Sequence, residues 1–151
     1  AEQGDENAFP LPHPTVQGSP FDFSFSGLKT AVINLIHNAS QKGEQLPVAD
    51  LSASFRKAVV DCLLKNVILA MNDTNYKKLV IAGGVSANSL LRRRLQQECK
   101  EKGWEIHMPA LNLCGDNAAM VGAQAYYEFL AGKIAGMDLN ACAAMPIDNN
   151  F

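Results

Sequence analysis

The chain has 151 residues, of which 48% are apolar and 19% charged, a composition that excludes a disordered polymer and provides for one domain with its own core. A net charge of −2 excludes any general electrostatic pull toward nucleic acid, so contact of that kind has to come from a local patch. No apolar run approaches the ~20 residues of a membrane helix and no signal peptide opens the sequence, so a cytoplasmic protein without a membrane partner is expected.

Residues 1–20 hold Pro10, Pro12, Pro14 and Pro20 with Gly4 and Gly18 and follow no period, the pattern of an extended linker or surface loop. Ala1 has no methionine before it and leads straight into polar loop sequence, as in a piece of a longer protein. Phe21, Phe23 and Phe25 alternate with polar residues and predict a short strand with one aromatic face. Leu28, Ala31, Val32, Leu35, Ile36 and Ala39 then recur at helical spacing, so a helix is expected from the Ser26-Gly27 turn to a glycine cap at Gly43. Ser24, Ser26, Gly27 and Lys29 offer an anion contact at that helix start, or simple capping and solvation. Pro47 suits the first turn of a second, longer amphipathic helix ending near Asn72 to Asn75, expected to cover one face of a sheet.

The stretch KLVIAGGVSANSLLRRRL, Lys78 to Leu95, reads as strand, glycine turn and helix. Leu79 to Ala82 form a continuous apolar run, the mark of a central strand covered on both faces. Gly83 and Gly84 break it, and Ser86 or Asn88 offers a helix N-cap before Leu90, Leu91 and Leu95. Missing Cβ atoms and unpaired N–H groups at such a junction suit a phosphate or nucleotide, and the same residues also suit a purely structural turn. The turn is neither GxGxxG nor a GK[ST] loop. Arg92, Arg93 and Arg94 are consecutive and so spread around the helix, giving a solvated face or, alternatively, an RNA backbone contact.

Trp104 to Met108 predicts another strand, closed by Pro109. Asn112 to Asn117 is a polar loop in which Asp116 is placed to cap the helix Ala118 to Leu130. The small residues Ala118, Ala119, Gly122, Ala123 and Ala125 would let that helix pack closely on the sheet. The tail after Gly132 is expected to pack in part through Ile134, Leu139 and Met145. The chain thus divides into a linker over 1–20, an α/β domain over 21–132 and a C-terminal tail over 133–151. His13, His37 and His107 include no i, i+4 pair, and Cys62, Cys99, Cys114 and Cys142 include no CxxC. A histidine-pair metal site on one helix is therefore excluded, neither a zinc knuckle nor a disulfide framework is suggested, and reduced thiols are expected.

Three blocks carry more. FDFSFSGLKTAV (Phe21 to Val32), LVIAGGVSANSLLRRRL (Leu79 to Leu95) and CGDNAAMVGAQAY (Cys114 to Tyr126) resemble, in order and spacing, those of the tRNA N6-adenosine threonylcarbamoyltransferase family, formerly called O-sialoglycoprotein endopeptidase or glycoprotease. The similarity runs from about Phe9 to Leu139 and fits the C-terminal half of the family fold, an actin-like ATPase architecture of two α/β domains closing on a nucleotide. The resemblance implies transfer of threonylcarbamoyl from threonylcarbamoyl-adenylate to N6 of adenosine 37 in tRNA. It implies that Gly83, Gly84 and Asn88 line the adenylate or ATP, and that Asp116 is one ligand of a divalent metal, iron or zinc. A histidine pair and phosphate-binding segments would lie in a first half absent here, so this chain alone is expected to be inactive. That first half, tRNA and accessory proteins of the threonylcarbamoyladenosine pathway are the implied partners. Beside this reading stand a nucleotide-binding or protein-interaction module, a glycoprotease-type metallopeptidase, and a sugar- or acyl-kinase relative.

Overall fold

The computed structural model describes residues 1–141, 143 and 144, and Met145 of the expected tail packing lies outside them. Two helices come first: α1 (Ser26–Lys42), closed by Gly43 at φ 70°, and α2 (Val48–Asp73), which starts after Pro47. Strand β1 (Lys78–Val80), a 3-10 turn (Gly84–Ala87), α3 (Ser89–Lys102) and β2 (Glu105–His107) form a strand–helix–strand unit. A second 3-10 turn (Leu111–Leu113) leads to α4 (Ala118–Leu130). The strands pair in parallel, Leu79 opposite Ile106, in a two-stranded sheet. The chain is therefore mixed α/β, as the alternation of periods predicts.

The core lies between α2, α3 and one face of that sheet. Val60 and Leu64 of α2 meet Leu90, Leu91 and Leu95 of α3, with Leu79, Ile81 and Ile106 against them. A continuation gathers Met71, Cys99 and Trp104. Gly103, at φ 67°, ends α3 in the left-handed conformation open to glycine, and the Trp104 N–H returns to the Cys99 carbonyl at 2.8 Å, which seats the indole in this core. Between α2 and α3, Asp61 accepts from Arg94 at 3.1 Å and from Lys57 at 2.9 Å. Residues 1–9, without helix or strand, are stitched to α2: the Asp5 N–H donates to Asp50, and Ser54 bonds both the Asp5 carbonyl and the Phe9 N–H.

Several expectations are corrected. Strand β1 is covered on one face only. Val80 is 71% exposed, and the outer face carries Lys78 paired with the Glu105 carboxylate at 3.4 Å, with a His107 ring nitrogen 2.9 Å from the same carboxylate. The continuous apolar run reads as two-sided burial because a sequence shows apolar side chains and not the element that covers them. Phe21 to Phe25 form no strand. Among the described residues no strand pairs with the segment, and Phe23 and Phe25 stack at 6.3 Å while half exposed. Helix α4 has no buried residue and does not lie on the sheet, while Ile134 and Leu139 of the tail are exposed.

Candidate functional site

The turn after β1 is built from the backbone. Gly83 has φ 82° and ψ 169°, a region essentially restricted to glycine, and its carbonyl accepts the Ser86 N–H at 2.9 Å. Gly84 has no such φ, and a Cβ built there meets nothing within 4 Å. Within this chain, nothing requires glycine at 84, and the space over it is open. Ser86 is buried and its hydroxyl has no partner among the described residues.

Asn88 is the N-cap of α3: its side-chain oxygen accepts the N–H groups of Leu90 and Leu91, both at 3.1 Å. That settles the choice between Ser86 and Asn88 and leaves the Asn88 amide NH2 for another partner. Asn88 therefore holds the capping role, and its NH2 is not used in it. Substituting alanine is expected to cost about 1 kcal/mol through the lost cap. Aspartate keeps the acceptor, removes the donors, and is expected to hold stability within a few tenths of a kcal/mol. Urea midpoints of the two variants check this, and equal losses would exclude the cap as the source.

Asp116 is not the cap of α4. Asn117 is, its side-chain oxygen accepting the Met120 N–H at 3.0 Å while its NH2 bonds the Gly115 carbonyl at 3.1 Å. The expected cap at Asp116 is thus corrected by one residue: Asp and Asn cap equally well, and residue type does not tell which of two neighbours takes the role. The Asp116 carboxylate is exposed, and no described residue hydrogen-bonds it. Among the described residues no three His, Cys, Asp or Glu are grouped to hold a metal, so the residues present fit a metal only through one carboxylate donor.

The arginine run is not a uniformly solvated face. Arg93 is exposed, Arg94 pairs with Asp61, and Arg92 turns inward. It donates to the carbonyls of Ser86 (3.0 Å) and Pro109 (2.8 Å) and reaches the Cys114 sulfur at 3.6 Å. Sequence reading missed this contribution of Arg92. A signal existed, since Arg92 stands four residues after the cap, the spacing at which a side chain folds back toward the turn before the helix. The Asp116 loop and the Gly83–Asn88 turn are thereby held side by side.

None of the described cysteines presents an exposed thiol. Cys62, Cys99 and Cys114 are buried and free. Burial pushes the Cys62 thiol up, aided by Asp61, and burial likewise raises Cys99, with Glu98 adding to it. Both are neutral thiols at neutral pH. Among the described residues no helix is long and apolar enough to cross a membrane.

Residues 1–123 match a family model described as tRNA N6-adenosine threonylcarbamoyltransferase. Curated proteins of that name are similar to the chain. One from Clostridium botulinum is 44% identical over 141 residues, covering 93% of this chain and 42% of the relative. One from Moorella thermoacetica is 41% identical over 148 residues, 98% of this chain and 43% of the relative. A third, from Limosilactobacillus reuteri, is 45% identical over 145 residues, 95% of this chain and 42% of the relative. The chain thus spans less than half the length of the relatives it matches.

Proposed function

This chain belongs to the tRNA N6-adenosine threonylcarbamoyltransferase family, and from that membership we infer that it is the nucleotide-facing C-terminal part of an enzyme that moves threonylcarbamoyl from threonylcarbamoyl-adenylate to N6 of adenosine 37 in tRNA. In this reading the two-stranded sheet and its helices are one side of an actin-like ATPase fold acting in the cytoplasm, with tRNA and accessory proteins of the pathway as partners.

The observation that carries the reading is the Gly83–Asn88 turn. A glycine at 84 that the fold does not require, with open space above it, admits a flat base or a phosphate against the backbone. The start of the 14-residue α3 lies just beyond, its positive dipole end favouring an anion. The Asn88 NH2, left over from capping, is the donor for an adenylate acceptor. Asp116 contributes one negative oxygen toward a divalent metal, iron or zinc, completed by ligands outside this chain. Such an ion, when bound, supplies Lewis-acid polarisation of an oxygen. The chain's own part is to bind and orient the adenylate against the carboxylate loop, a positioning contribution.

The exposed α4, with Val121, Tyr126, Tyr127 and Phe129 outward, and the outer face at Val80 are surfaces for the remaining part of the enzyme. The test is transfer of labelled threonylcarbamoyl to tRNA. The chain alone should give none, and the chain combined with the first half of a relative should give product. Product from the chain alone would refute the half-site reading. Adenylate binding to a well-folded combination that never transfers would favour a binding module.

A further inference from the structure

Arg92 is the side chain that ties the two halves of the candidate site together. Its guanidinium touches segments more than 20 residues apart in sequence: Ser86, in the turn carrying Gly83, Gly84 and Asn88, and Pro109 and Cys114, which bracket the start of the loop carrying Asp116. Cys114 is buried, and its thiol donates to the Ala110 carbonyl at 3.5 Å, so the sulfur is fixed from its other side. Among the described residues no carboxylate pairs with Arg92, whereas Arg94, two residues on, is neutralised by Asp61. The base of Arg92 is rigid as well, its N–H bonding the Asn88 carbonyl at 3.0 Å in the first turn of α3. A planar fork of donors reaches two carbonyls at once, and a lysine ammonium on a flexible stem does not reproduce that geometry.

We propose that Arg92 is a positioning residue that locks the Asp116 loop to the glycine turn, so that a nucleotide seated on the turn is felt at Gly115 and Asp116. The lock stands on hydrogen bonds alone, and only the nature of the ligand rests on the proposed function.

Two measurements on the 151-residue chain and its Arg92→Gln variant test it. The first is hydrogen exchange without ligand at four bonded amides: Ser86 and Asn88 in the turn, Leu113 and Cys114 in the loop. Both pairs should exchange faster in the variant, by roughly fivefold to tenfold, the scale of one lost hydrogen bond. Acceleration of one pair only, or of neither, overturns the lock. The second is the amide spectrum during titration with adenosine monophosphate. In the parent chain Gly83 and Gly84 should shift together with Gly115 and Asp116 at one affinity. In Arg92→Gln the turn should still respond and the loop should not, a loss that a merely stabilising residue would not produce. A loop that responds equally in both proteins overturns the coupling. If no amide of the parent chain responds, the nucleotide reading of the turn fails while the exchange data still decide the lock. Should Arg92→Gln fail to fold, Arg92→Lys replaces it with its own criterion: a lysine bonds one carbonyl at a time, so at least one of the two pairs should exchange faster, and protection of both overturns the lock.

Discussion

Leu90→Ala is expected to destabilise the chain by about 2–5 kcal/mol, the range for truncating a leucine in a packed core. Leu90 is 2% exposed and sits where α2, α3 and the inner face of the sheet converge, beside Val60, Leu64, Leu91 and Leu95. Among the described residues the buried set is small, because α1 buries only Leu28 and Ala39 and α4 buries nothing. A domain stabilised by about 5–15 kcal/mol in total loses much of its margin when such a contact goes. The urea midpoint of Leu90→Ala should fall while the slope of the transition stays the same, since the surface exposed on unfolding hardly changes. Ile36→Ala is the control. Ile36 is half exposed on α1, so its loss should stay within about 0.5 kcal/mol. Equal effects at the two positions would mean that the α2–α3 core does not dominate stability.

The contrast between these positions also shows what the sequence made legible. Helices α1, α2 and α3 and their ends follow from side-chain period and from Gly43, Pro47 and Gly103, all local in origin. The strand–turn–helix around Gly83 was equally readable, because an apolar run followed by glycines leaves few alternatives. What the sequence left open depends on distant partners. Phe21, Phe23 and Phe25 alternate as a strand does, yet a strand exists only where another pairs with it. The small residues of α4 read as a packing face, and none of them is buried among the described residues. Leu79 to Ala82 read as buried on both sides for the same reason. Arg92 and Arg94 were obscured differently: a charged side chain announces solvent, and only the fold brings the Pro109 carbonyl and Asp61 within their reach. At the site, the turn and Asn88 were legible as an element, while the link between turn and Asp116 loop was not, because it runs through one side chain across 22 residues.

Asp116→Asn is expected to separate stability from metal binding more sharply than any other substitution in the chain. The capping of α4 belongs to Asn117, and the Asp116 carboxylate is exposed without a hydrogen bond among the described residues, so the fold has little to lose there. Thermal midpoints of the metal-stripped proteins should agree closely. Asn117→Ala should instead cost about 1 kcal/mol, the usual value of a lost cap. For a cation the order reverses. An ionised carboxylate gives a hard or borderline metal a charged oxygen, and an amide oxygen gives only a dipole. In the enzyme reconstituted from this chain and the first half of a relative, Asp116→Asn should lower metal affinity by more than the ~10–100-fold that loss of a mere outer-shell partner costs. Threonylcarbamoyl transfer should fall with it, and Asn117→Ala should spare both at temperatures where it is folded. The isolated chain should hold iron or zinc weakly with or without the substitution, since one carboxylate makes an incomplete site. Metal content after dialysis, measured on all of these proteins, decides the matter. Tight stoichiometric metal in the isolated chain that disappears with Asp116→Asn would place the other ligands inside residues 1–151 and end the half-site reading. Full metal occupancy in the reconstituted variant would remove Asp116 from the ligand set.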